Sequence, residues 1–122
     1  MIALVVEDDP TSKKLVHHVL ERDGFEVISV PGAPDVLACI GHTVPDVILI
    51  DLSLPGVDGV ALASQLNADS RVRDVPLVAV TAFPERFPRS RIMEMGFRAY
   101  LVKPIDTRSL SAVIRNVVQP EG

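Results

Sequence analysis

Residues 2–24 read IALVVEDDPTSKKLVHHVLERDG, and they join a strand pattern directly to a helix pattern. The run Ile2–Val6 is apolar throughout, which is typical of a strand buried on both faces of a sheet. Asp9 offers a capping carboxylate and Pro10 a suitable first helical residue, so a helix is expected to begin there. Gly24 supplies the left-handed residue that commonly ends a helix. One helical face carries Leu15, Val16, Val19 and Leu20.

The same alternation of an apolar run and an amphipathic segment recurs along the rest of the chain. The later strand-like runs are Phe25–Val30, Val47–Ile50, Leu77–Val80 and Ala99–Val102. The apolar helical positions are Val36, Leu37 and Ile40, then Val60, Ala63 and Leu66, and finally Leu110, Val113, Ile114, Val117 and Val118. The connection from Pro84 to Gly96 is the least regular, and any helix in it must start close to Pro88.

Strands that alternate with helices in this way predict a parallel sheet covered on both faces, with right-handed crossovers. The expected fold class is therefore α/β, a (βα)5 arrangement with a doubly wound, five-stranded parallel sheet. With 122 residues the chain fits one domain and is too short for an eight-stranded barrel.

Composition excludes several classes of protein. Twelve basic and sixteen acidic residues give a net charge of −4, which argues against binding to nucleic acid. The single cysteine, Cys39, cannot form an internal disulfide, so a reducing compartment is expected. No apolar run approaches the roughly 18 residues of a membrane helix, and no signal peptide is recognisable. We therefore expect a cytoplasmic protein that does not bind membranes.

Polar side chains follow most of the strand-like runs. Glu7, Asp8 and Asp9 come after the first run, Asp51 after the third, Thr81 after the fourth and Lys103 after the fifth. The carboxyl ends of parallel strands meet at one edge of the sheet, where ligands usually bind. Asp9 alone is best explained as a helix cap. The other side chains are expected to form one site.

The chemistry of such a cluster is restricted. Neighbouring carboxylates repel one another, and a hard divalent cation such as Mg²⁺ relieves that repulsion. The cluster contains no His or Cys, which disfavours zinc. Lys103 adds positive charge and Thr81 a hydroxyl donor, which together suit the transfer of a phosphoryl group. Asp51 is the best placed nucleophile and would form an acyl phosphate.

Four segments together resemble the motif set of response-regulator receiver domains, the phospho-accepting parts of two-component signalling. They are Val5-Val6-Glu7-Asp8, Asp51-Leu-Ser-Leu-Pro55-Gly56-Val-Asp58-Gly59, Val80-Thr81-Ala82 and Lys103-Pro104. The resemblance covers Ile2 to Val118. It implies a flavodoxin-like sheet with strand order 2-1-3-4-5, a receiver domain over residues 1–119 and a C-terminal stub over 120–122.

The resemblance also implies a role for each acidic residue. Asp51 is the expected phosphoacceptor. Mg²⁺ or Mn²⁺ is the expected cofactor, bound directly by Asp8, through water by Glu7, and also by Asp51 and the backbone carbonyl of Ser53.

Further roles follow from the same resemblance. Thr81 is the expected switch hydroxyl, Lys103 the expected partner of the phosphoryl group, and Tyr100 the expected switch aromatic. The Lys103–Pro104 peptide bond is expected to be cis, as it usually is in the family.

Ser53 and Phe83 occupy the two positions that flank the path of attacking water in the family. A bulky apolar side chain at residue 83 should exclude water, so we hypothesise that Phe83 slows hydrolysis of the acyl phosphate. The alternative is that Phe83 simply packs on its loop.

The expected phosphoryl donors are a sensor histidine kinase or a histidine phosphotransfer protein. A downstream protein effector is expected on the face made by residues 84–96, Tyr100 and the last helix. That face has a local basic bias, which indicates either a solvated surface or a docking site for an acidic partner. The bias comes from Arg86, Arg89, Arg91 and Arg98.

Several alternatives remain open from the sequence. The domain could stand alone, or it could be part of a hybrid histidine kinase or a multidomain regulator. A phosphatase with an aspartyl nucleophile typically carries a second acid where this chain has Ser53, and it needs a cap segment. A degenerate receiver used only as a scaffold would not need the intact acceptor, acids, Thr81 and Lys103. We expect a regulatory phosphoacceptor that assists its own phosphorylation and dephosphorylation, not an enzyme.

Overall fold

The computed structural model describes residues 1–53 and 59–119, in which strands and helices alternate along the chain. The strands are β1 (Ile2–Val6), β2 (Glu26–Val30), β3 (Val47–Asp51), β4 (Leu77–Thr81) and β5 (Ala99–Val102). The helices are α1 (Pro10–Arg22), α2 (Ala33–Ile40), α3 (Gly59–Ala68), α4 (Arg89–Glu94) and α5 (Leu110–Val118). The predicted α/β class is confirmed.

The strands form one parallel sheet in the order β2-β1-β3-β4-β5, as expected. Val6 of β1 lies between Val30 of β2 and Ile50 of β3, so the carboxyl ends of these three strands are level. Strand β2 lies on one side of β1, and the later strands β3, β4 and β5 lie on the other side. This reversal between β1 and β3 creates a crevice at the carboxyl edge, where ligands bind in such sheets.

Each face of the sheet has its own hydrophobic core. Side chains alternate across a strand, so Leu4 and Val6 of β1 belong to one core, whereas Ala3 and Val5 belong to the other. The first core is closed by α2, α3 and α4, and the second by α1 and α5. The central strands β3 and β4 are buried along their whole length, which explains their continuous apolar sequence.

The predicted helix boundaries at α1 and α4 are confirmed. The Asp9 carboxylate caps α1 by accepting from the backbone N–H of Ser12 at 3.3 Å, and Pro10 is the first helical residue. Gly24 follows the helix with a φ of 97°, a left-handed conformation that favours glycine. Helix α4 starts directly after Pro88.

Some predicted details were wrong by one residue or one helical position. Strand β2 begins after Phe25, whose side chain packs into the core beside α1 and α5. Asp51 and Thr81 are themselves the last residues of their strands. Leu15 and Leu37 are 39% and 37% exposed, because each lies at the margin of its helix's buried face.

The connection after β3 is tightly packed against the start of α3. A Cβ atom built on Gly59 would lie 2.8 Å from the Cα of Leu52 and 3.0 Å from the carbonyl oxygen of Asp51. Only glycine fits this approach without displacing the backbone that follows β3. Residues 54–58 of the quoted motif and the stub at 120–122 lie outside the described residues.

Two further observations bear on the sequence predictions. The Lys103–Pro104 peptide bond is cis, as expected. In the part of the chain that the structure describes, none of the helices combines the length and apolar character needed to cross a membrane.

Candidate functional site

An acidic cluster lies at the carboxyl edge of the sheet, where β1 and β3 run side by side. Glu7 and Asp8 directly follow β1, and Asp51 ends β3. Carboxylate oxygens of the three residues lie within 4.8 Å of one another. Glu7 and Asp51 are only 4% and 5% exposed, whereas Asp8 is exposed. The structure therefore brings the three predicted acids together, with Asp8 at the solvent side.

Lys103 reaches the cluster from the end of β5. Its backbone N–H donates to the carbonyl oxygen of Thr81 at 2.8 Å, which fixes the residue at the sheet edge. Its ammonium group donates to Asp51 Oδ2 at 2.9 Å and also to Glu7 Oε1. Burial opposes the charged form of Lys103, but the two carboxylates outweigh it and raise its pKa. Lys103 is therefore a cation at neutral pH.

Both carboxylate oxygens of Asp51 are held by hydrogen bonds. Ser53 donates to Oδ1 from its backbone N–H at 2.9 Å and from its hydroxyl at 2.8 Å, and Lys103 donates to Oδ2. Burial disfavours the ionised form, but the neighbouring Glu7 and the hydrogen bonds from Ser53 and Lys103 lower the pKa of Asp51 to about 2. Asp51 is thus an ionised carboxylate with a fixed orientation.

Glu7 behaves in the opposite way. Burial, followed by the neighbouring Asp51 carboxylate, raises the pKa of Glu7 to about 8. Within the described residues, Glu7 Oε2 is buried and has no hydrogen-bond partner. A buried carboxyl oxygen without a hydrogen-bond partner, beside two other acidic side chains, fits a site for a hard divalent cation. Glu7, Asp8 and Asp51 could hold that cation, whereas the predicted contribution of the Ser53 carbonyl remains untested.

The two predicted switch residues lie on neighbouring strands, and both contact the segment between β4 and α4. Thr81 is fully buried, and its hydroxyl oxygen accepts from the backbone N–H of Phe83 at 2.9 Å. The Tyr100 hydroxyl donates to the carbonyl oxygen of Phe87. Burial raises the pKa of Tyr100, so the hydroxyl remains protonated and can donate.

Phe83 is 42% exposed, and the Arg86 guanidinium carbon lies 5.7 Å from its ring centroid. This contact gives the packing interpretation of Phe83 a concrete basis, and the effect of Phe83 on hydrolysis remains a prediction.

Three features of this region are absent from the sequence predictions. They are the ion pair of Lys103 with Glu7, the contact of Arg86 with aromatic rings, and the close approach of Gly59 to β3. The several arginines in residues 84–98 predicted that Arg86 lies on the surface, but they did not predict its contacts with aromatic rings. The glycine at the end of the quoted motif is the one sequence signal for the close approach.

Comparison with known proteins agrees with this geometry. Residues 3–115 match the family model for the response regulator receiver domain. The chain is 33% identical to the polar-differentiation response regulator DivK of Brucella ovis, covering 93% of this chain and 92% of that protein. It is 34% identical to the response regulator PleD of Caulobacter vibrioides, covering 95% of this chain and only 26% of that longer protein.

Solved structures support the same assignment. A CheY-like response regulator receiver domain from Methylobacillus flagellatus superposes with a TM-score of 0.84 at 32% identity, covering 96% of this chain and 98% of that one. The receiver domain of the sensor histidine kinase PA1611 from Pseudomonas aeruginosa superposes with a TM-score of 0.85 at 26% identity, covering 96% of each chain. That structure has a magnesium ion coordinated in its active site cleft. The chain described here belongs to the response regulator receiver domain family.

Proposed function

We propose that this receiver domain accepts a phosphoryl group from a phosphohistidine onto Asp51. The observation that carries the proposal is that an ionised, hydrogen-bonded Asp51 lies next to a Lys103 cation and two further carboxylates. A carboxylate that attacks a phosphorus atom must be ionised and oriented, and the lowered pKa and the hydrogen bonds of Asp51 support both requirements. The site residues carry over from the motif resemblance, and their geometry is compatible with the roles expected for them.

The proposed step exchanges one bond to phosphorus for another. An oxygen of Asp51 forms the new P–O bond while the P–N bond to the donor histidine breaks, and the bonding electron pair returns to the imidazole nitrogen. Ser53 keeps the carboxylate oriented through its two hydrogen bonds to Oδ1. The Lys103 ammonium neutralises negative charge on the incoming phosphoryl oxygens, which lowers the barrier through electrostatic stabilisation.

Mg²⁺, or Mn²⁺ in its place, is the proposed cofactor. The unpartnered Glu7 Oε2 and the all-oxygen composition of the cluster support this choice, as does the magnesium in the PA1611 receiver domain. When bound, the cation would neutralise charge between the acceptor carboxylate and the phosphoryl oxygens. Asp8, at the solvent side, and Glu7 and Asp51, deeper in the crevice, would hold it.

We further propose that phosphorylation shifts a two-state equilibrium through Thr81 and Tyr100. The Thr81 hydroxyl is engaged by Phe83 in this structure, and it would exchange that hydrogen bond for one to a phosphoryl oxygen. Tyr100, bound to the Phe87 carbonyl, would then change its own contacts. The domain would act as a regulatory phosphoacceptor in the cytoplasm rather than as an enzyme that turns over a substrate.

The proposed donors are a sensor histidine kinase or a histidine phosphotransfer protein. Receiver domains of histidine kinases among the structural neighbours, such as that of the sensor histidine kinase PA1611, support this assignment. A protein effector is proposed to bind the face formed by residues 84–96, Tyr100 and α5. Because the chain spans about a quarter of the length of PleD but nearly all of DivK, both multidomain and single-domain contexts are compatible with it.

A single labelling experiment tests the proposal. The protein is incubated with Mg²⁺ and acetyl phosphate, and its intact mass is followed with time. We expect one added phosphoryl group that is lost in Asp51→Asn but retained in Asp35→Asn, a control at an exposed acid on α2. Continuous release of phosphate with no adduct would instead support an aspartyl-nucleophile phosphatase. The absence of both an adduct and phosphate release would support a scaffold. Phosphate release without an adduct, or the absence of both, would overturn the proposal.

A further inference from the structure

The segment between β4 and α4 contains a compact turn whose arginine lies close to two aromatic rings. The carbonyl oxygen of Phe83 accepts from the backbone N–H of Arg86 at 3.0 Å and from that of Phe87 at 3.1 Å. The Arg86 guanidinium carbon lies 5.7 Å from the ring centroid of Phe83 and 5.6 Å from that of Phe87. Both distances are within the range of a cation–π contact. We call residues 83–87 the aromatic turn.

The two ends of the aromatic turn bind the two switch residues. At its first residue, the Phe83 N–H donates to the hydroxyl oxygen of Thr81 at 2.9 Å. At its last residue, the Phe87 carbonyl accepts from the hydroxyl of Tyr100. Thr81 and Tyr100 are therefore connected through one turn, whose ends are joined by backbone hydrogen bonds and by Arg86.

Arg86 can stabilise this turn although its side chain lies outside the hydrophobic core. Its side chain is exposed, whereas Phe87 is half-buried and packs against the core below α4. Within residues 1–53 and 59–119, Arg86 forms no ion pair, so its charge is available to both rings. Replacing Arg86 should therefore change the rigidity of the turn while leaving the buried side chains in place.

We propose that Arg86 is a positioning residue that makes the aromatic turn move as one unit, so that a change at Thr81 reaches Tyr100. The inference deepens the proposed function, because it names the residue through which that switch is transmitted. Departure of the Thr81 hydroxyl from Phe83 N–H displaces the first residue of the turn. Because Arg86 contacts both rings, the Phe87 carbonyl moves with Phe83, and Tyr100 loses or changes its acceptor.

The test uses a property of the sequence: it has one tyrosine and no tryptophan. Incorporation of fluorotyrosine therefore gives a single fluorine NMR line that reports on Tyr100. The line is recorded without any phosphoryl donor for a double-mutant cycle of Thr81→Ala and Arg86→Gln. Thr81→Ser, which keeps the hydroxyl, is the conservative control for the first change. Arg86→Lys, which keeps a cation, is the control for the second.

We expect Thr81→Ala to shift the Tyr100 line in the wild-type background and to lose most of that shift in the Arg86→Gln background. Arg86→Lys should retain the shift in part, and Arg91→Gln, at an exposed arginine of α4, should retain it fully. Thr81→Ser should leave the line near its wild-type position. An equal shift in the presence and absence of Arg86, or no shift from Thr81→Ala at all, would overturn the inference.

A second arm separates this inference from the proposed function. Mg²⁺ and acetyl phosphate are added to wild type and to Arg86→Gln, and the mass adduct and the Tyr100 line are measured together. We expect equal adducts but a much smaller change of the line in Arg86→Gln. If wild type forms no adduct, the proposed function fails, and the donor-free cycle still decides the role of Arg86. If both proteins form the adduct and their lines change equally, the inference fails and the proposed function stands.

Discussion

The Lys103 ammonium lies 2.9 Å from Asp51 Oδ2 and also donates to Glu7, so one cation bridges two acidic side chains at the ends of different strands. Both side chains are nearly inaccessible to solvent, and within the described residues Lys103 is the only cation that pairs with either of them. Lys103 is therefore a counterion of the cluster.

Replacement of Lys103 should destabilise the metal-free protein. Lys103→Met leaves the ionised Asp51 buried without its cation, and breaking such a pair costs about 3 kcal/mol. The measurement is urea unfolding in the presence of EDTA. Addition of Mg²⁺ should recover part of the loss, because the metal neutralises the same carboxylates. Lys14→Met, at an exposed lysine of α1, is the matched control and should change stability little. Equal unfolding free energies for the two variants in EDTA would contradict the prediction.

The stability of the metal-free protein should depend on pH through Glu7. Its pKa is raised from 4.5 to about 8 in the folded protein, so the folded state holds a proton that the unfolded state has lost between these values. The contribution of Glu7 to stability is therefore present below pH 4.5 and is lost as pH rises toward about 8. Asp51 acts in the other direction, because its lowered pKa contributes stability that is lost only as pH falls below 3.8 toward about 2.

The measurement for Glu7 is the free energy of unfolding in EDTA at several pH values, for wild type and for Glu7→Gln. We expect the decline of stability with rising pH to be shallower in Glu7→Gln, since the other titrating groups are common to both proteins. Added Mg²⁺ should stabilise wild type more at the alkaline end, where Glu7 is ionised and can bind it. Parallel pH profiles for the two proteins would refute the assignment.

Gly59→Ala should disturb the acceptor more than the fold as a whole. The added Cβ would lie 2.8 Å from the Leu52 Cα, so the backbone next to Asp51 must shift. We expect a loss of about 1–3 kcal/mol in stability, as for an overpacked core, together with slower labelling of Asp51. Gly41→Ala is the control, because its Cβ meets no atom closer than 3.4 Å and its φ of −67° suits alanine. Similar labelling rates in both variants would show that the close approach does not position the acceptor.

Phe83→Glu should shorten the lifetime of the acyl phosphate several-fold. A carboxylate in place of the apolar ring would admit and orient water near Asp51, whereas Phe83→Leu keeps the position apolar and should leave the lifetime close to wild type. The lifetime is measured as loss of the mass adduct after the donor is removed. An unchanged or longer lifetime in Phe83→Glu would leave only the packing role, in which the ring contacts Arg86.

The architecture could be predicted because it depends on local patterns that recur along the chain. A continuous apolar run such as Val47–Ile50 is compatible with a strand buried on both faces, and the parallel arrangement then places the residues that follow each strand at one edge. Glu7, Asp51 and Lys103 meet there, as the spacing of the motifs predicted. Asp8 lies in the same cluster.

The remaining details depend on side-chain directions that a linear pattern does not contain. Glu7 and Asp8 are adjacent acids, yet one is buried and the other exposed, because neighbouring side chains at the end of a strand point to different sides. The pairing of Lys103 with Glu7 requires two residues that are 96 positions apart to meet at a specific distance. The contact of Arg86 with two rings depends on the exact path of a short irregular segment. These features arise from tertiary packing.

The separation of the core into two layers has an evolutionary consequence. Because each strand side chain faces only one layer, substitutions between β1 and α1 can accumulate without repacking the helices that surround Tyr100 and Phe87. Substitutions on the opposite face of the sheet can likewise accumulate without repacking α1 and α5. A lineage could therefore alter the surface on one side of the sheet while keeping the surface on the other, with the acidic cluster at the shared edge unchanged. Duplicated copies of such a domain could diverge in one connection of a signalling network at a time.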